Sequence, residues 1–190
     1  MRPEWFPDWS GHACLIVGSG ESTRREIVDG FRDRACVIVI NTSYQLAPWA
    51  DVLYGADERW WEYHKEALSF AGLKVTCQKN TKSPREVKRL RVELERHEIL
   101  INDDGVVGDG GFSGFQALNF VILCGSKSIS LIGFDFCGGH WHGDHPAPMV
   151  KRTRDKTRDK WRERFDAQAG RIKSLGVSMV NLSDVVHEPR

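Results

Sequence analysis

Apolar and polar positions alternate along this chain in blocks of two kinds. Short apolar runs rich in β-branched residues occupy 12–17, Cys36–Ile40, 51–54, Leu73–Cys77, Ser128–Ile132 and 177–182, that of Cys36–Ile40 nearly uninterrupted. Cys36–Ile40 reads as a strand covered on both faces, because each side of it meets apolar neighbours. Between the runs lie segments of helical character. One spans 22–31, with Ser22 as its expected cap and Glu26 in its first turns. Another spans 58–70, with Asp57 as a capping candidate and Gly72 as its stop. A third runs from Gly114 or Phe115 to Leu123, and a long one from about Thr153 to Ser174, stopped at Gly176. Ser83-Pro84-Arg85-Glu86 begins a charged segment to about Arg96, with Pro84 at a first-turn position, and 99–102 reads as a further short strand. Strands alternating with helices predict the α/β class: a single Rossmann-like domain over 1–190, mostly parallel, with helices on both faces.

The bulk properties narrow the field. A chain of 190 residues suits one domain with a substantial core. Its 27 lysines and arginines nearly balance 26 acids, so whole-chain charge argues against nucleic acid as a partner and makes any anion site local. The five cysteines are odd in number and form no C-x-x-C pair. They read as reduced core residues, and hence as a mark of the cytoplasm. The first residues lack the apolar core of a secretory signal, and no apolar run approaches membrane-spanning length, so no membrane partner is expected. A homo-oligomer is left open.

Candidate chemistry gathers where the apolar runs end. Gly18-Ser19-Gly20-Glu21-Ser22 follows a strand and precedes a helix, so its amides are placed to cradle a phosphate. Thr23 stands where the dinucleotide fingerprint requires a third glycine, which argues against a standard NAD site, and no P-loop lysine motif is present. The bland alternative is a tight strand-to-helix turn. Asn41-Thr42-Ser43-Tyr44 emerges from the second strand with groups suited to a ribose or base edge, or Asn41 simply turns the chain. Gly110-Gly111-Phe112-Ser113-Gly114 precedes an apolar helix and offers a second anion site, with Ser113 as cap or ligand contact.

The densest constellation follows the run ending at Ile132: Gly133-Phe134-Asp135-Phe136-Cys137-Gly138-Gly139-His140-Trp141-His142-Gly143-Asp144-His145. Polar groups beyond the carboxyl end of a buried strand lie where open α/β sheets place their ligands. His140, His142, Asp144 and His145 suit zinc, manganese or iron. Alternatively one histidine is a general base while others hold a phosphate, a role set ahead of metal binding. The plain reading is a solvated loop packed on Trp141. The segment 151–164 pairs opposite charges at helical spacing and reads as a solvated face, with Lys151, Arg152 or Arg154 within reach of a phosphate. Trp49, Tyr54, Trp60, Trp61, Tyr63 and His64 fall partly on helical spacing and read as core.

These motifs, with Val39-Ile40-Asn41, Phe112-Ser113-Gly114 and Leu131-Ile132-Gly133-Phe134-Asp135-Phe136 in that order, resemble the bacterial CMP-sialic-acid-dependent sialyltransferases. The run from Leu46 to Tyr54, then Trp60-Trp61 and the later His-Trp-His-Gly-Asp-His, resembles related phage and prophage proteins. The wider kin includes pterin pyrophosphokinase-like Rossmann domains. The resemblance implies a nucleotide or nucleotide sugar as ligand, contacted by Gly18, Gly20, Ser22, Asn41, Ser113 and Gly114, with Ser19 and Thr42 as further candidates in the same two turns. It implies sugar transfer without a metal, one of His140, His142 or His145 being the base, while Asp135 is a catalytic candidate that would join the histidine loop around a metal in the alternative below. The stretch after Phe136 is shorter than the enzymes' lid and lacks their phosphate-steadying tyrosines. Two other expectations therefore stand: metal-dependent phosphotransfer or nucleotide hydrolysis, and nucleotide sequestration without turnover.

Overall fold

The computed structural model describes residues 2–79, 82–102, 104–143 and 155–183. In chain order the elements are β1 (Ala13–Val17), α1 (Arg25–Asp29), β2 (Cys36–Ile40), β3 (Val52–Tyr54), α2 (Glu58–Tyr63), β4 (Leu73–Cys77), β5 (Lys88–Glu93), β6 (Val106–Gly108), α3 (Ser113–Leu123), β7 (Ser128–Ile132), α4 (Asp155–Asp166), α5 (Ala169–Ser174) and β8 (Ser178–Asn181). The strands form one eight-stranded sheet in the order β6-β5-β4-β3-β2-β1-β7-β8. Every pairing is parallel. All carboxyl ends therefore share one edge, and the loops leaving them are brought together whatever their separation in sequence.

Alternation along the strands divides the core between two faces. Ile16, Ile38, Val52, Tyr54 and Leu131 meet α3 through Phe115, Leu118 and Phe120. Leu15, Val17, Val39, Leu53 and Ile132 meet Val28, Trp60 and Trp61. Every residue of α3 after Ser113 is buried, each large apolar one contributing about 1.5–3 kcal/mol of transfer free energy. This helix is the rigid platform on which one side of the carboxyl edge rests.

Several expected elements take a different form. Ser22 does not cap a helix; α1 begins at Arg25 after Arg24, and the Ser22 hydroxyl instead donates to Ser183 Oγ at 2.9 Å and accepts the Gly133 N–H at 3.2 Å. The helix expected over 58–70 ends at Tyr63, because His64 leaves helical geometry at φ −103° and ψ 60°, and a 3-10 turn (Lys65–Ser69) follows. The charged segment after Pro84 is β5: Leu90 and Val92 are buried while Arg89, Arg91 and Glu93 face out, the period of a strand. The short strand of this region is β6, not 99–102. The long terminal helix is broken at 167–168, where the Gln168 side-chain oxygen accepts the Ile99 N–H at 3.0 Å. Its expected start, with Lys151, Arg152 and Arg154, lies outside the described residues.

Candidate ligand site at the carboxyl edge of the sheet

From β1 the chain proceeds to one side through β2 to β6, then returns to the other side of β1 as β7 and β8. Divergence of this kind normally opens a crevice between the loops after the two central strands. Here the crevice is closed by backbone. The Gly18 N–H donates to Ile132 O at 2.8 Å and the Gly20 N–H to Gly133 O at 3.1 Å. A Cβ on Gly18 would stand 2.6 Å from Gly133 O, and one on Gly20 would overlap the Asp135 carboxylate. The two glycines are thus required by the approach of β7's end.

Asp135 changes the electrostatics of this turn. Its buried carboxylate accepts the Ser22 N–H at 3.2 Å, so the amide most suited to a phosphate already serves an anion of the protein. A bare phosphate there would meet like charge at close range. Ser183, buried and accepting from Ser22 while its oxygen also takes the Phe134 N–H at 3.0 Å, completes the tie. Nothing in its sequence context marked Ser183, since its partners lie far away along the chain.

The histidine loop folds back over the glycine turn. Gly20 and His140 form an antiparallel bridge, Trp141 N–H donates to Ser19 O at 3.0 Å, and Gly139 N–H donates to Glu21 Oε1 at 2.8 Å. The Trp141 indole reaches Ser43 Oγ at 3.2 Å, and Ser43 in turn donates to Gly18 O at 2.8 Å. His140 is exposed, and its Nδ1 lies 3.3 Å from Ser19 O. A carbonyl only accepts, so Nδ1 is the donor in this contact. The His140 and His142 rings stack at 5.2 Å, 7° from parallel, which sets the imidazoles side by side rather than converging on one ion. His145 and Asp144 lie outside the described residues. Among the described residues no group of histidine, cysteine, aspartate and glutamate is arranged to hold a metal ion.

On the β2 side the edge is less satisfied. Asn41 opens a 3-10 turn (Asn41–Gln45) with φ +50°, a left-handed conformation. Its side-chain oxygen is buried without a hydrogen-bond partner. Left-handed backbone costs about 1 kcal/mol or more outside glycine, and a buried unsatisfied acceptor about 1–3 kcal/mol. Thr42, next along, is buried and accepts from the Trp60 indole N–H at 3.4 Å. Trp60 leads to His64 and Glu66, residues that sequence reasoning assigned to packing or passed over.

The α3 N-terminus completes the edge. Phe112, in extended conformation, precedes the helix, and no side chain caps it; Ser113 is the first helical residue and not the cap. Arg164 of α4 donates to Gly110 O at 3.3 Å beside this terminus, and Trp161 stacks on Phe112 at 5.4 Å. The helix dipole and the guanidinium both contribute positive charge here, beside the Asp109 carboxylate that accepts from Gln116 Nε2 at 2.7 Å. Gly114 packs against Phe112 and Phe134, where a side chain would not fit. The structure thus gathers Gly18, Ser19, Gly20, Ser22, Asn41, Thr42, Ser113, Gly114, Asp135, His140 and His142 along one edge. They are split into a closed β1–β7 seam and a less satisfied β2–β3 side.

Fold and site together define an α/β protein with one all-parallel, Rossmann-like sheet and its polar groups at the carboxyl edge. Among the described residues no helix is long and apolar enough to cross a membrane. Compared with known proteins, the chain matches no family model, no curated protein and no solved structure.

Proposed function

We propose that this chain is a nucleotide-binding, glycosyltransferase-like protein that takes a nucleotide sugar at the carboxyl edge, with a loop histidine as base. The observation that carries the reading is Asn41: a buried amide oxygen without a partner, on a left-handed residue at the end of β2. Strain and an unmet hydrogen bond at one residue are costs that a ligand donor would offset. Position agrees with this, because nucleotide-binding α/β sheets present their ribose-reading group about 20 residues beyond the glycine turn, at the end of the second strand.

The phosphate belongs at the α3 N-terminus beside Arg164, since Asp135 already holds the Ser22 amide of the glycine turn. His140, exposed at this edge, then takes the proton of an acceptor hydroxyl. The acceptor oxygen attacks the anomeric carbon, and the nucleotide departs with the bonding electrons. A divalent ion has no part in this scheme.

Thermal unfolding with CMP, CMP-sialic acid, UDP-sugars and GDP-sugars, each with EDTA or with Mg²⁺, tests the reading. A ligand at about 100 times its Kd adds about 2.7 kcal/mol, which raises Tm by a few degrees. A nucleotide-sugar shift that persists in EDTA, followed by loss of turnover in His140→Ala with binding intact, supports the proposal. A shift that requires Mg²⁺ transfers the site to phosphotransfer or hydrolysis. Binding with the ligand recovered intact transfers it to sequestration, and no shift at millimolar ligand removes the nucleotide reading altogether.

A further inference from the structure

Beside the Asn41 turn lies a second group of polar side chains that the proposed chemistry does not use. His64 is 9 % exposed. Its Nδ1 lies 3.0 Å from Glu66 Oε1, and the Tyr44 hydroxyl donates to the same oxygen at 3.1 Å. Burial opposes ionisation of Glu66, but hydrogen bonds from its own backbone N–H, from His64 and from Tyr44 outweigh it and hold the carboxyl below its ordinary range. An ionised carboxylate only accepts, so Nδ1 bears a proton, and in the neutral imidazole Nε2 is then an acceptor. That Nε2 is buried and has no hydrogen-bond partner. The Trp60 ring lies against the imidazole at 4.9 Å and fixes its plane, while the Trp60 indole N–H bonds Thr42, the neighbour of Asn41.

Two buried polar atoms therefore lack partners on residues joined through Thr42 and Trp60, Asn41 Oδ1 and, in the neutral Nδ1–H imidazole, the acceptor His64 Nε2. A nucleobase edge presents donors and acceptors mixed, whereas a vicinal diol presents two donors. We propose that His64, oriented by Glu66, is a second ribose-reading residue: its Nε2 accepts a hydrogen bond from one hydroxyl of the diol whose other hydroxyl is held by Asn41. The inference rests on the nucleotide reading of Asn41 and assigns to that site its requirement for an intact ribose. His64 is a binding residue, and Glu66 is a positioning residue that acts through it.

The test compares Kd values of CMP, UMP, AMP and GMP with those of their 2′,3′-dideoxy counterparts, for wild type, Asn41→Ala, His64→Ala and Glu66→Ala. Glu66 has a side chain 59 % exposed, so its truncation leaves the core intact and gives a folded variant independent of His64→Ala. Wild type should favour the ribose form by about 10-fold or more, as expected when buried polar groups would otherwise go unpaired. His64→Ala should reduce that preference toward unity with little change for the dideoxy ligand, and Glu66→Ala should reduce it in part. Long-range ¹H–¹⁵N NMR of the free protein should show His64 as the Nδ1–H tautomer, becoming mixed in Glu66→Ala. If Asn41→Ala loses affinity while the ribose preference survives in His64→Ala and Glu66→Ala, the nucleotide reading stands and His64 is structural. An Nε2–H tautomer in wild type also overturns the proposal, without reference to any ligand. If none of the ribonucleotides binds, the reading of Asn41 falls and takes this one with it.

Discussion

Asn41 carries two local costs at one position, and they can be separated by substitution. Glycine adopts φ +50° without strain and has no side-chain oxygen to leave unpaired, while it adds about 0.4–1 kcal/mol of unfolded-state entropy. Asn41→Gly should therefore stabilise the free protein by about 1 kcal/mol in urea unfolding and abolish the nucleotide-induced rise in Tm. A destabilised variant that still responds to ligand would mean that the oxygen is not held in reserve. The position was legible in the sequence, since asparagine at the end of an apolar run marks either a turn or a ligand. His64 was not, because it stands four residues after Trp60 and reads as one more member of a helical apolar face. What distinguishes it is the break in the helix at that residue and the carboxylate two positions on, and neither has a periodic signature.

At the scale of elements, the seam between β1 and β7 depends on missing side chains. Replacing Gly20 with alanine puts a methyl group into the Asp135 carboxylate and displaces the one buried anion that holds the Ser22 amide. Overpacking of this kind costs about 1–3 kcal/mol, with the lost hydrogen bond to a charged group adding to it. Gly20→Ala should lower the urea midpoint by a corresponding amount, and Gly20→Ala with Asp135→Ala should recover part of the loss. Strictly additive costs would show that the two do not meet. β2 was legible to the residue because its apolar run is continuous, and β7 because Ile129, Leu131 and Ile132 end at a glycine. β5 was not, since its outward face is charged and only Leu90 and Val92 point inward. The glycine turn was legible as a turn, but the partner filling it lies beyond β7 and is set by topology rather than by spacing.

For the molecule as a whole, burial keeps several weak acids neutral. Burial pushes Cys14 and Cys124 well above the ordinary thiol value of 9.0, with neighbouring thiols adding to it at Cys14, and pushes Tyr54 well above 10.0. These groups favour the folded state fully below about pH 9. Above it the unfolded chain releases protons that the folded one retains, so stability falls as pH rises, by up to about 1.4 kcal/mol per pH unit for each group. Urea midpoints should decline from pH 9 to 10.5, and Cys124→Ala should shallow the decline. A flat profile over that interval would contradict the burial of these groups. That the fold is α/β with a parallel sheet was readable from the alternation of runs. The strand order was not, since no pattern along the chain states that β7 returns to the far side of β1.

That return has a consequence for how the protein is made. Ala13 of β1 pairs with Ser128 of β7, so β1 acquires its second neighbour only after β2 to β6 have been made. β1 to β6 form a consecutive series that can assemble in order of emergence, each strand beside its predecessor. The Gly20–His140 bridge, the Ser22–Ser183 bond and the tie from Asp135 all wait for β7, and distant closures of this kind are slow. The nascent protein therefore holds a nearly complete sheet before it holds a site, and a chain stalled short of β7 has its Asn41 turn without the histidines that close over the glycine turn beside it.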